Sequence, residues 1–253
     1  MDEHLVSLLR PASFEAEQYR VLRHLVETLR RDAKLQVIGV TSPGVGEGKT
    51  TTSINLAGAL AQAPDSKVLL VDVDLRRPAV ARALGLPPRP RRRLADALKG
   101  PALTLDDVVE PLPKFNLSVL AAGGPLAAPY EALKSPKFEA LIEEARQRYD
   151  YVVIDTPPYV PVPDGRVIAN GVDGFLIVVT AHQTPRGMLA ETLALMEPAK
   201  VVGLVFNGAH VRRSSYYYYD AYPGETESRP WQRLTQRARL QGAWARSARP
   251  RAS

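Results

Sequence analysis

The 253-residue chain reads as an α/β protein, a parallel twisted sheet covered by helices on both faces. Three observations predict it. Apolar runs with little polar alternation recur at 35–41, 67–75, 115–123, 151–158, 174–180 and 201–207, as expected of strands buried on both sides. Helical patterns fall between most of them. A glycine-rich loop and several acids stand where strands end, which is where parallel sheets place ligands.

In chain order, FEAEQYRVLRHLVETLRR (14–31) predicts an amphipathic helix. Phe14, Val21, Leu22, Leu25, Val26 and Leu29 recur at helical spacing, Ser13 is the expected N-cap, and acids fill the first turn. LQVIGVT is the first strand, SPGVGEGKT a loop, and TTSINLAGALAQA (51–63) a helix. KVLLVDVDL (67–75) is the second strand. Residues 87–93, with three prolines and four arginines, form an irregular basic connection before the short helix of LADALKG. FNLSVLAAG (115–123) is a third strand. SPKFEALIEEARQRY (135–149) is a helix opened by Ser135 and Pro136. Three more strands follow at 151–158, 174–180 and 201–207, with a helix from about Arg186 to Glu197 between the last two.

Composition narrows the function classes. There is no cysteine, so neither a disulfide framework nor a thiolate metal site is available. The acidic opening of the chain is unlike a signal peptide, and no window of about 18 apolar residues suggests a membrane span. A cytoplasmic protein is expected. The formal charge of +6 is concentrated in the tail: residues 210–253 carry nine Arg against three Asp/Glu, and the remaining 24 bases balance 24 acids. The basic balance therefore describes the tail, and charge gives the body no nucleic-acid groove. The composition of 223–253, rich in Arg, Pro, Ala, Ser and Gln, predicts disorder.

The most informative stretch is GVGEGKT, comprising Gly44, Val45, Gly46, Glu47, Gly48, Lys49 and Thr50, followed by Thr51. Between a strand and a helix, the N–H groups of such a loop cradle phosphate oxygens at the positive end of the helix. Lys49 reaches the β- and γ-phosphates, and the Thr50 hydroxyl ligates Mg²⁺. Pro43 stands where the usual pattern has glycine. Asp72 and Asp74 close the second strand, and their spacing of two predicts a shared face. Asp155 closes a further strand.

Taken together, TSPGVGEGKTTTSINLA, VLLVDVDLRRP and YVVIDTPP resemble the bacterial tyrosine kinases. These are P-loop ATPases related to ParA and MinD, marked by three apolar residues before Asp-x-Asp-x-Arg. Here that element is Leu69, Leu70, Val71, Asp72, Asp74 and Arg76. The resemblance extends from about Pro11 through Tyr222. It implies ATP and Mg²⁺ as cofactors, with Lys49, Asp72, Asp74 and Asp155 as catalytic residues. Thr50, Asp74 and Asp155 then act at the metal, Asp72 accepts the tyrosine proton, and Asn207 in GLVFN contacts adenine. The roles of Asp72 and Asp74 are not separable from sequence.

Two peripheral features fit the same family. Five of the ten tyrosines, Tyr216, Tyr217, Tyr218, Tyr219 and Tyr222, cluster after the last strand. In a core each hydroxyl would need a buried partner. The family carries such a cluster as its autophosphorylation substrate. At about −1.5 to −2 charges per phosphate, full modification would reverse the sign of the tail. Glu17, Arg20 and Arg23 form E-x-x-R-x-x-R, which in the family helps to assemble a ring whose tails enter neighbouring active sites. Read without the family, the same three residues are a solvated helix face. The expected organisation is an oligomerisation segment at 1–34, a kinase core at 35–209 and a tyrosine-rich basic tail at 210–253. The resemblance implies a membrane-anchored activator as a separate protein, recruitment to the inner membrane face, a tyrosine phosphatase, and control of capsular or exopolysaccharide export. No nucleic-acid partner is expected. A ParA/MinD-like positioning ATPase or a non-catalytic ATP-binding adaptor shares the phosphate loop, but neither calls for Asp-x-Asp-x-Arg or the tyrosine run.

Overall fold

The computed structural model describes residues 1–87, 92–100, 103–124 and 126–208. The predicted tyrosine cluster and the rest of the tail lie outside the described residues. The elements run α1 (Val6–Leu9), α2 (Phe14–Ala33), β1 (Val37–Thr41), α3 (Lys49–Ala61), β2 (Val68–Asp72), α4 (Val80–Leu84), α5 (Leu94–Lys99) and α6 (Leu105–Val108). They continue with β3 (Glu110–Leu112), β4 (Leu117–Leu120), α7 (Pro129–Leu133), α8 (Pro136–Arg148), β5 (Tyr151–Asp155), α9 (Asp164–Ile168), β6 (Gly174–Thr180), α10 (Arg186–Leu195) and β7 (Val201–Asn207).

Among the described residues the strands form one sheet in the order β3-β4-β2-β5-β1-β6-β7. All neighbours are parallel except β3 and β4. The apolar runs explain the burial: alternate residues of each strand feed opposite layers. Val37, Leu69, Val71, Ile154, Phe175 and Ile177 pack beneath Leu98, Leu105, Phe138, Leu141 and Ile142 of the helices on one side. Ile38, Val40, Leu70, Val153 and Leu176 pack on the other side against Ile54, Leu56 and Leu60 of α3, joined by Leu5 and Val26. Each such side chain, fully buried, contributes about 1.5–3 kcal/mol.

The strand order builds the site. β5 lies between β1 and β2, and its register pairs Asp155 with Val40 on one side and with Asp72 on the other. The loop leaving β1 and the acids ending β2 and β5 therefore emerge side by side at one edge of the sheet.

The structure revises several expectations. The third predicted strand begins only at Leu117, preceded by the short antiparallel β3, which was not anticipated. Between them the chain turns at Asn116, whose backbone is left-handed (φ 50°) and whose amide reaches the carbonyls of Ala61, Ala63 and Ser66. Helix α2 buries a narrower stripe than its periodicity implied. Val26 is buried and Leu22 and Leu29 pack beside it, while Val21 (64%) and Leu25 (43%) remain exposed. The segment ahead of β1 is docked on α3: Asn55 accepts the Ser7 N–H at 2.9 Å and donates to the His4 carbonyl at 2.9 Å.

Candidate active site

The phosphate loop is shaped by two glycines. Gly46 and Gly48 sit at φ 83° and 85°, the left-handed region that favours glycine. A Cβ on Gly48 would lie 2.0 Å from Asn207 Nδ2, so that position admits no side chain without displacing Asn207. Gly48 also caps α3 without a side-chain bond, leaving the first-turn N–H groups to an anion.

Glu47 braces the loop from within. Its carboxylate accepts the Gly44 N–H at 3.0 Å and the Thr184 hydroxyl at 2.6 Å. Its carbonyl accepts from Asn207 Nδ2 at 3.1 Å and from the Thr180 hydroxyl at 3.3 Å. Thr180 and Thr184 had no motif to announce them. They stand where β6 ends, which the sheet order places beside β1. The expected adenine contact Asn207 is thus held against the loop.

The acids behave differently from one another. Lys49 Nζ donates to Asp74 at 2.9 Å. Thr50 and Ser53 donate to the two oxygens of Asp155, at 2.7 and 3.1 Å. Asp72 accepts the backbone N–H groups of Asp74, Ala79 and Val80 at 3.1–3.2 Å. β2 ends at Asp72, so strand alternation does not govern Asp74, yet both carboxylates act on the Lys49 ammonium. Asp72, Asp74 and Asp155 are all buried. Burial, reinforced by the neighbouring Asp155, pushes the Asp72 carboxyl up to about 8. Burial also raises Asp155, against the pull of Lys49 and Thr50. Burial pulls the Lys49 ammonium down, but Asp155, Asp74 and Asp72 outweigh it and hold it above an ordinary lysine.

These donors fit Mg²⁺ in the manner of a nucleotide site. Hard oxygens surround the loop, and the buried acids outnumber the single lysine among them. Among the described residues no three His, Cys, Asp or Glu side chains form a ready-made metal cage. That suits an ion that keeps its waters and binds through one or two protein oxygens plus phosphates.

Arg76 finds its partner across the fold. It makes a two-pronged bond to Asp164, at 2.7 and 2.9 Å. Asp164, isolated among prolines in PVPDG, carried no signal in the sequence. Glu17 and Arg20 pair with each other on α2. Arg23 bonds Glu27 at 2.6 Å and the Ala59 carbonyl at 3.0 Å, so it binds α2 to α3 and does not extend a free ridge. A groove of about 860 Å³ near Lys67, Asn116 and Arg148 lies at the opposite ends of the strands and contains none of the expected site residues.

The acid cluster has a measurable consequence. A carboxyl whose folded value exceeds its unfolded value of about 3.9 binds its proton more tightly in the folded protein. The stabilisation from Asp72 is therefore complete below about 4 and lost as pH rises through about 8. Thermal unfolding of the nucleotide-free protein should show a melting temperature that falls across this window. Asp72→Asn should flatten the fall; an unchanged slope would remove Asp72 as its source.

A family model described as an AAA domain matches residues 35–187. Tyrosine-protein kinase YwqD of Bacillus subtilis (strain 168) is 33% identical over 222 residues, which span 87% of this chain and 92% of YwqD. The succinoglycan biosynthesis transport protein ExoP of Rhizobium meliloti (strain 1021) is 32% identical over 213 residues, 82% of this chain and 26% of ExoP. Among solved structures, the kinase domain of the Escherichia coli tyrosine kinase ETK superposes with a TM-score of 0.76 at 26% identity, covering 89% of this chain and 84% of that one.

Proposed function

The chain belongs to the bacterial tyrosine-protein kinases built on an AAA-type ATP-binding domain, and we propose that it transfers the γ-phosphoryl group of ATP to tyrosines 216–219 and 222 on a neighbouring copy of itself. The observation that carries the reading is the convergence of Lys49, Thr50, Asp74 and Asp155 at the mouth of the phosphate loop. Phosphoryl transfer needs positioning and charge neutralisation more than covalent help from the protein.

Each residue has a defined task. The N–H groups of the loop from Val45 to Thr51 and the Lys49 ammonium hold the phosphates, while the Gly44 N–H is committed to Glu47. Asn207 sits at the adenine end. Mg²⁺, when bound, would neutralise phosphate charge; Thr50 would hold it, with Asp74 and Asp155 assisting directly or through water. A tyrosine hydroxyl, near pKa 10, is a weak nucleophile at neutral pH and needs a base close by. Asp72 has the raised proton affinity that suits a base working near neutrality. The N–H bonds from Ala79 and Val80 converge on one Asp72 oxygen and that from Asp74 on the other, which keeps acceptor capacity for a tyrosine proton.

Around this core we place a homo-oligomer, ring-shaped and assembled through α2, with residues 1–34 as its oligomerisation segment. A membrane-anchored activator, as a separate protein, recruits it to the inner membrane face, and a tyrosine phosphatase resets it. No described helix is long and apolar enough to cross a membrane. The output is control of capsular or exopolysaccharide synthesis and export. That assignment is supported by the likeness to ExoP, whose name places it in succinoglycan biosynthesis.

Transfer between copies is tested by mixing two variants with ATP and Mg²⁺, the activator being supplied. One copy carries Lys49→Met with an intact tail; the other has all five clustered tyrosines replaced by phenylalanine. Mass spectrometry should find phosphate on the tail of the Lys49→Met copy. Phosphate on wild type but none in the mixture would restrict transfer to a single chain.

A further inference from the structure

The bond between Arg76 and Asp164 takes no part in the reaction as described above. Its geometry is uneven: the Asp164 side chain is 1% exposed, whereas Arg76 keeps 37% of its side chain in solvent. A carboxylate buried to that degree needs a paired cation. Arg76 supplies one with both prongs of its guanidinium, the strongest form of this contact.

Asp164 is held in place from behind. It opens α9, and the next residue, Gly165, backs onto the Tyr159 ring so closely that a Cβ there would lie 2.6 Å from it. Tyr159 packs edge-on against Phe175 in the sheet, with centroids 5.7 Å apart. The Tyr159 N–H also donates to the Ser42 carbonyl at 2.8 Å, just ahead of the phosphate loop. Asp164 therefore stands on a fixed part of the core.

The loop it grips is differently built. Most bonds of residues 73–79 stay within the acidic element: Asp74 and Asp72 accept N–H groups from Arg77, Ala79 and Val80, and Leu75 N–H bonds to the Val73 carbonyl. Ties to other elements are fewer, among them Val73 to Asp155 and Leu126 to Leu75. Arg76 adds a side-chain anchor of this loop on the core, beside the Asp74 bond to Lys49 and the buried Val73 and Leu75.

We propose that Asp164 is a positioning residue: by gripping Arg76 it fixes the 73–79 loop so that the Asp74 carboxylate stands opposite Lys49, ready for the metal that accompanies the nucleotide. The inference rests on the nucleotide-binding part of the reading above, and not on which group accepts the phosphoryl.

The test is calorimetric titration of ADP into the full chain, with Mg²⁺ and with EDTA. It uses wild type, Asp164→Asn, Arg76→Gln and the double variant. Each single change should reduce the Mg²⁺-dependent gain in ADP affinity by about 10-fold, the low end of losses seen when partners behind metal ligands are removed. ADP affinity in EDTA should stay unchanged, and the double variant should be no worse than the weaker single. Retention of the full Mg²⁺ gain in Asp164→Asn overturns the proposal, as do losses that multiply in the double variant. An equal loss in EDTA also overturns it, because the effect is then general damage to the site. Should Asp164→Asn fail to fold, Arg76→Gln, on the exposed side of the pair, carries the same prediction. Binding is read directly, so a wild type that takes up ADP but forms no phosphotyrosine would count against the kinase reading and leave this result standing.

Discussion

Lys49→Met leaves a protein that folds and forms no detectable phosphotyrosine. Methionine matches the length of the lysine stem and fills the same space, since the Lys49 side chain is only 12% exposed. What is lost is the positive charge that faces Asp155, Asp74 and Asp72 and bonds Asp74 at 2.9 Å. The phosphates then meet buried carboxylates without the ammonium that offsets them. Removing one preorganised electrostatic contact to a reacting group costs about 10²–10³ in rate, and here the ground-state hold on phosphate falls as well. Quantitative mass spectrometry of tail phosphotyrosine, with circular dichroism to verify the fold, checks the outcome. A Lys49→Met protein that phosphorylates at the wild-type rate would exclude this loop as the catalytic site.

Gly39→Ala should be the most damaging single-methyl change in the sheet. Gly39 lies mid-strand in β1, paired with Ile154 on one side and Phe175 on the other. A Cβ there would lie 2.5 Å from two carbons of the Phe175 ring. That ring is fully buried and braced edge-on by Tyr159, so it has little room to retreat. Overpacking of this kind costs about 1–3 kcal/mol, sometimes more. In a domain of this size each kcal/mol lowers the melting temperature by about 2–4 °C. Differential scanning calorimetry should record the fall, and Phe175→Leu in the Gly39→Ala background should recover part of it. An undiminished melting temperature would mean that the ring moves freely.

The strands were legible because burial on both faces leaves a run of aliphatic residues that little else produces. The bounds expected for β6 and β7 coincide with those observed. The phosphate loop was legible because its glycines, lysine and threonine are contiguous. Contacts that join distant segments were not. Nothing in PVPDG announces that Asp164 will grip Arg76, 88 residues away in sequence. The braces from Thr180 and Thr184 to Glu47 depend on strand order, which the apolar runs do not encode. Asp72 and Asp74 illustrate a different limit: their spacing does not reveal that one bonds Lys49 while the other gathers backbone N–H groups. Val21 and Leu25 show that periodicity identifies a helix but leaves open how wide a stripe its neighbour covers.

The bond from Arg23 to the Ala59 carbonyl has a mechanical consequence. Ala59 lies in the last turn of α3, and Lys49 is that helix's first residue. Thirteen residues make a rod about 20 Å long. α2 meets this rod near Ala59 through Arg23 and near Thr52 and Asn55 through Tyr19, so a load on its outer surface, where Val21 and Leu25 are exposed, would bear on the helix as a whole. A rotation of about three degrees over that length moves the tip by roughly 1 Å, a displacement large enough to alter turnover about a hundredfold. The lysine that grips phosphate thus stands on a helix whose setting depends on a neighbour that reaches the protein's surface.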